Sequence, residues 1–158
     1  SLYYGAQLAS IPVNHLANHP SITDANYLCY QISELTTIPA SLLSGSPNLT
    51  TCFRMFTYSG VTSIPSTFLE NSTSIESVYE MFMQCSSLTI VGSGFLDNIT
   101  TPLVSLNFYR AFYGCANLTS SVPEYWNLYN GADSYQCFSL SENISNYSSI
   151  PSSWGGPA

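Results

Sequence analysis

The chain contains no lysine. Its fixed positive charges are Arg54 and Arg110, set against nine Asp and Glu, for a formal net charge of -7. A nucleic-acid site needs several Lys or Arg to displace counterions from phosphate, so nucleic acid is excluded as a partner. Anionic membrane surfaces are disfavoured for the same reason. Charged residues of either sign make up 7% of the sequence, against roughly 25% in an average soluble protein. Solubility must therefore come from Ser, Thr, Asn and exposed backbone. No run of 18 apolar residues is present, so membrane insertion through a helix is not expected. Residues 1–5 lack the basic and apolar regions of a signal peptide, so any export signal is expected to lie upstream or to have been removed. A lysine-free, hydroxyl- and amide-rich surface suits an extracellular or cell-surface setting.

Signatures of catalysis and metal binding are also scarce. The five cysteines, Cys29, Cys52, Cys85, Cys115 and Cys137, are an odd number and include no Cys-x-x-Cys pair, so neither complete intrachain pairing nor a zinc site is expected. They read as small buried apolar residues. His15 and His19 are four apart and would share a helix face, but Pro20 follows at once and no third ligand is apparent. They read as a solvated loop. Glu76 and Glu80 are also four apart, yet nothing converges on them as a catalytic acid–base pair requires. No Gly-x-Ser-x-Gly and no phosphate-cradling glycine loop occurs. No catalytic residue, metal ligand or cofactor is expected.

What the sequence does have is a period. Leu35-Thr36-Thr37-Ile38-Pro39 aligns with Val61-Thr62-Ser63-Ile64-Pro65, and further copies place Ile11, Val91, Val122 and Ile150 at the Ile position. The steps between these positions run from 26 to 31 residues. A second motif is an aromatic pair spaced i, i+3: Tyr27 and Tyr30, Phe53 and Phe56, Tyr79 and Phe82, Tyr109 and Phe112, Tyr135 and Phe138. Three residues further on stand Ser33, Ser59, Cys85, Cys115 and Ser141. A unit this short cannot bury its own apolar face, but stacked units can, with equivalent residues forming ladders. The period predicts a single α/β solenoid domain over residues 1–158, with five to six repeats. The alternating Leu-x-x-Ile element suits a short strand. The Pro after it ends the strand, and the Ser/Thr-rich stretch beyond suits one or two helical turns or irregular chain. The paired aromatics are expected in the core. The paired Ile/Val positions are expected to stack as one buried ladder.

Six Asn-x-Ser/Thr triplets, at Asn48, Asn71, Asn98, Asn117, Asn143 and Asn146, match glycosylation acceptors. The simpler account is a chain rich in these residues, one triplet of which belongs to the repeat. Tyr3-Tyr4-Gly5-Ala6 is similar to Phe112-Tyr113-Gly114-Cys115, so the chain is expected to begin inside a repeat, as a C-terminal fragment of something longer. At the other end Trp154 could plug the last unit.

The run Phe112-Tyr113-Gly114-Cys115-Ala116-Asn117-Leu118-Thr119-Ser120 resembles the BspA-like leucine-rich repeats, which read as an aromatic, Gly-Cys, Leu-Thr and Ile-Pro. The likeness spans nearly the whole chain and implies a leucine-rich-repeat-type solenoid. The later part, from Pro123-Glu124-Tyr125-Trp126 to Trp154, is similar to the C-terminal ends of prophage-encoded repeat proteins of gut Firmicutes, usually placed among tail-fibre or baseplate genes. That similarity implies a non-catalytic receptor-binding module on a virion appendage, contacting a host-surface glycan or protein. Other virion subunits would then attach through an upstream region, and the full-length fibre would suit a homotrimer. A bacterial cell-surface adhesin of the same repeat type is the alternative. The longest step, from position 91 to 122, should expel residues from the coil, and loops carry function more often than scaffold. Tyr113, Tyr125, Trp126 and Tyr129 near it are the candidate binding rings, because aromatics give large contact area at low entropic cost. Tyr58 also falls outside the repeat phase.

Overall fold

The protein is described by a computed structural model covering residue 3 and residues 6–100 and 106–158. The motif at positions 3–6 falls mostly outside the described residues. The chain is wound into successive coils, and equivalent residues of neighbouring coils pair in parallel. One ladder joins Ser10 to Thr37 and Thr37 to Ser63. It continues as Ser63–Ile64 (β1) against Ile90–Val91 (β2). A second ladder runs through Asp24, Thr51, Ser77, Asn107 and Asp133, with steps of 27, 26, 30 and 26 residues.

Between the ladders the chain runs as linked turns. In the arc that leaves the second ladder, N–H groups alternate in direction. Tyr27, Cys29 and Gln31 donate to Phe53, Met55 and Thr57 of the next coil, while Leu28 and Tyr30 donate back to Ala25 and Tyr27. From 52 to 59, 78 to 85 and 108 to 115 every N–H has a partner of one kind or the other, or a side-chain oxygen. The alternation requires two left-handed residues per coil, four apart: Tyr27 and Gln31, Arg54 and Tyr58, Glu80 and Gln84, Arg110 and Gly114, Gln136 and Leu140. The non-glycine members lie at φ between 50 and 60. Each costs about 1–2 kcal/mol, offset by the inter-coil hydrogen bonds and burial that the conformation permits.

These left-handed residues fix the register and correct one alignment. Tyr27 is equivalent to Arg54, not Phe53, so the pair Tyr27 and Tyr30 is one residue out of phase. Asn26 takes the place of Phe53, and Cys29 that of Phe56. The remaining pairs split across the wall of the coil. Phe56, Phe82, Phe112 and Phe138 are buried and stack face to face at 5.4, 5.5 and 5.3 Å, with interplanar angles of 4°, 14° and 8°. That repeat matches the roughly 4.7–4.9 Å separation of hydrogen-bonded strands, so one ring per coil fills the axis. Their partners Phe53, Tyr79, Tyr109 and Tyr135 lie on the outer surface, contrary to the expected core position. Ile11, Ile38, Ile64, Val91, Val122 and Ile150 are all buried.

The stretch after Ile38-Pro39 and Ile64-Pro65 runs as single turns, the irregular alternative of the expectation, while a short 3₁₀ helix, Ser152–Trp154, follows Ile150-Pro151. Leu42 and Phe68 donate to Pro39 and Pro65, three residues back. The Ser44 carbonyl, which a continuing helix would engage, accepts instead from Asn71 Nδ2 of the next coil at 2.7 Å. Among the described residues the one α-helix is Tyr125–Leu128 (α1). At the C-terminal end Phe138 donates to the Trp154 carbonyl at 2.8 Å, and the buried indole covers Phe138 and Phe108.

Phe82 stacks on both sides, against Phe56 and Phe112. Phe82→Ala should cost about 3–5 kcal/mol, read as a lowered urea midpoint. Gly60 stands where the second coil is one residue short, and a Cβ there would lie 1.9 Å from the Ser33 carbonyl oxygen. Gly60→Ala should also destabilise clearly, although it adds a single methyl on a non-left-handed backbone. A neutral Gly60→Ala would contradict the coil-to-coil packing described.

Candidate functional site

The outer face of the turn arc carries a stripe of rings. Tyr27 meets Phe53 at 5.0 Å, Phe53 meets Tyr79 at 5.0 Å, Tyr79 meets Tyr109 at 4.7 Å and Tyr109 meets Tyr135 at 5.5 Å. A polar residue two positions earlier sets the turn of the three tyrosines from Tyr79 onward. The N–H groups of Tyr79, Tyr109 and Tyr135 donate to Ser77 Oγ, Asn107 Oδ1 and Asp133 Oδ1. Asn26 N–H likewise donates to Asp24 Oδ1, and Asn26 Oδ1 accepts from Phe53 N–H at 2.7 Å. These side-chain turns hold the backbone so that the next residue but one projects outward. Tyr79, Tyr109 and Tyr135 are near parallel, at 9° and 29°, so they cover one another's faces. The stripe therefore offers ring edges and hydroxyls, and only Tyr135, 55% exposed at the end of the row, is free to offer a face.

Beside the rings runs the row of left-handed residues Tyr27, Arg54, Glu80, Arg110 and Gln136. Both cations of the chain are here. Arg54 Nε donates to the buried carboxylate of Glu80, and its guanidinium lies 5.1 Å from the Phe53 centroid. Thr57 Oγ1 donates to the Glu80 carbonyl. Arg110 Nε donates to Gln136 Oε1 at 2.8 Å, and its guanidinium lies 5.1 Å from the Tyr109 centroid and 5.2 Å from that of Tyr113. Desolvation, followed by the charge of Glu80, raises the Tyr79 phenol above its ordinary value.

The ring cluster read from the sequence divides. Tyr113 is half-buried and belongs to the stripe through Arg110. Tyr125, Trp126 and Tyr129 are instead core residues at 0%, 8% and 4% exposure. Tyr125 packs on Phe95 and Phe108, Trp126 on Phe138 and Trp154, and Tyr129 donates its hydroxyl to the Leu96 carbonyl at 3.1 Å. The reason is arc length. From Val122 to Asp133 the chain is two residues shorter than from Ile38 to Thr51 or Ile64 to Ser77. The shortened arc crosses as α1, which draws its rings inward. Three of the surplus residues in the long step lie between Val91 and Asn107, a stretch that includes 101–105, outside the described residues. The fourth is at Ser120–Ser121, where Thr119 and Ser120 both donate to the Thr89 carbonyl and the first ladder ends.

Glu76 is exposed while Glu80 is buried on Arg54, so the two carboxylates do not form a pair. His15 and His19 are exposed, and His15 lies 5.8 Å from the Tyr3 ring. Among the described residues no group of three His, Cys, Asp or Glu could hold a metal ion, and no helix is long and apolar enough to cross a membrane. Several Asn-x-Ser/Thr triplets act as staples. Asn48, Asn71, Asn117 and Asn143 each donate Nδ2 to a carbonyl of the preceding coil at 2.7–2.9 Å. The chain matches no family model, no curated protein and no solved structure.

All five cysteines are free and buried. Cys85 and Cys115 donate to the carbonyls of Phe56 and Phe82, as Ser141 does to Phe112, so thiols and a hydroxyl share one hydrogen-bonded row. Burial pushes the Cys85 thiol up to about 11 and Cys29 to about 12, and raises the other three as well. Unfolded thiols ionise near the ordinary value of about 8.5, while folded ones stay neutral. Their stabilisation is full below that pH and falls by about 1.4 kcal/mol per unit per thiol as pH rises toward the folded values. The protein should unfold steeply above about pH 9. At pH 7.5 no thiol should react with a disulfide reagent until denaturant is added, when all five should. A rapid native reaction would contradict this burial.

Proposed function

We propose that this chain is a leucine-rich-repeat-type solenoid that serves as a non-catalytic surface-recognition module, carried on a phage tail fibre or baseplate and directed at a glycan or protein of the host surface. The observation that supports the reading best is the stripe of outward rings from Phe53 to Tyr135. A polar turn at each of the last three rungs holds the rings of Tyr79, Tyr109 and Tyr135 outward. Tyr at fixed spacing, half-buried at Tyr79 and Tyr109 and exposed at Tyr135 and flanked by Arg and Gln, has the composition of a binding hot spot. The setting on a virion appendage comes from the resemblance of the repeats.

The double variant Tyr79→Ala, Tyr109→Ala should keep its circular dichroism spectrum and lose at least about tenfold in binding of the labelled protein to gut Firmicutes cells. A folded double variant that binds every responsive strain as well as the parent would overturn the assignment of the stripe.

A further inference from the structure

Arg54 and Arg110 occupy the same left-handed position two coils apart, and each reaches to the residue at that position in the next coil. For Arg54 that residue is Glu80, and the charges cancel. For Arg110 it is Gln136, which is neutral and orients the guanidinium through Nε without neutralising it. Among the described residues Arg110 has no acidic partner, and its Nη groups have no protein acceptor. It is held beside two rings, Tyr109 and Tyr113. A fixed, half-buried guanidinium with a free donor edge fits a carboxylate, which it can grip with two parallel hydrogen bonds.

Resting on the recognition reading above, we infer that Arg110, clamped by Tyr109, Tyr113 and Gln136, receives the carboxylate of an acidic glycan. Two features select this ligand. The site offers one uncompensated positive charge on a chain of net charge -7, so a single carboxylate is favoured over a dianionic phosphate, whose second charge would meet the surrounding negative field. A polyacidic peptide is disfavoured for the same reason. Next to this group the stripe carries hydroxyls and amides, with Tyr79 and Tyr135 stacked on Tyr109, Gln84 close to Gly114 and the Asp133 carboxylate accepting from the Tyr135 N–H, which suits a polyhydroxylated neighbour to the acid.

Four probes test this by calorimetry on the intact chain: methyl galactopyranosiduronate, which carries one carboxylate, its methyl ester, sialyllactose and mannose 6-phosphate. Saturable binding is expected for the galacturonoside or sialyllactose, and which of the two binds identifies the acidic sugar as a uronate or a sialate. The methyl ester and the phosphate should bind at least about tenfold more weakly. Arg110→Gln should lose the acidic sugar. So should Gln136→Glu, which rebuilds at Arg110 the internal pair that Arg54 already makes and so keeps a fold the molecule tolerates. Equal affinity for acid and ester, tighter binding of the phosphate, or full affinity in Gln136→Glu would overturn the inference. Loss of cell binding in the tyrosine double variant with no acidic sugar bound would overturn this inference alone. Retained cell binding in that variant would remove the stripe itself.

Discussion

Everything in this molecule depends on where the N–H groups of the turn arc point. Alternate amides donate forward to the next coil and the amides between them close turns on their own coil, so the backbone is satisfied without a helix or a strand of ordinary length. The arrangement works only if neighbouring coils hold the same register to the residue. A slip by one would leave every forward amide facing another amide and would exchange the inward Phe with the outward Tyr. The left-handed residues enforce that register, because the chain can reverse its amide direction only where φ is positive. It is unusual that Arg, Glu, Gln and Tyr, not glycine, hold these positions. Their side chains are what the outer surface is made of, so the same residues that set the fold also set its exterior.

The odd composition follows from the same constraint. With two rows of carbonyls presented to each neighbouring coil, the useful side chains are short donors. Thr50, Thr62, Thr89 and Thr100 donate hydroxyls to Thr23, Thr36, Thr62 and Thr73 of the preceding coil, and the asparagines do the same one turn away. Each net hydrogen bond is modest, about 1 kcal/mol, but the pattern recurs at every coil. Lysine and glutamate would be too long for the task and would bring like charges into columns about 5 Å apart. The scarcity of charge is thus a property of the coil wall as much as of any environment.

The sequence disclosed the period, the burial of the Ile/Val positions and the recurrence of aromatic pairs. It did not disclose that each pair straddles the coil wall. Spacing i, i+3 places two residues on one side of a helix, and the left-handed residue between Phe53 and Phe56, or Tyr79 and Phe82, turns that expectation inside out. No local signal marks a left-handed Arg or Glu, since glycine and asparagine are the usual residues there. The slip at Tyr27 had the same origin, since two aromatics in the first arc happened to stand one place from the true register. Tyr125, Trp126 and Tyr129 were expected at the surface because they closely follow the longest step, from 91 to 122. The second ladder shows that most of its surplus precedes Asn107 and that their own arc is shortened.

Burying a glutamate and leaving an arginine unpaired are opposite electrostatic choices, and the two sites differ by one residue type. Glu80 is out of solvent and would be costly without Arg54, since removing one partner of a buried pair leaves an uncompensated charge. Gln136 at the equivalent place carries no such obligation, so Arg110 is positioned by a neutral hydrogen bond and by ring contacts that survive whether or not an anion is present. The Arg54 pair stiffens the middle of the stripe. The Arg110 group leaves its charge available two coils further along, beside Tyr109, on which the exposed end ring Tyr135 stacks with one face.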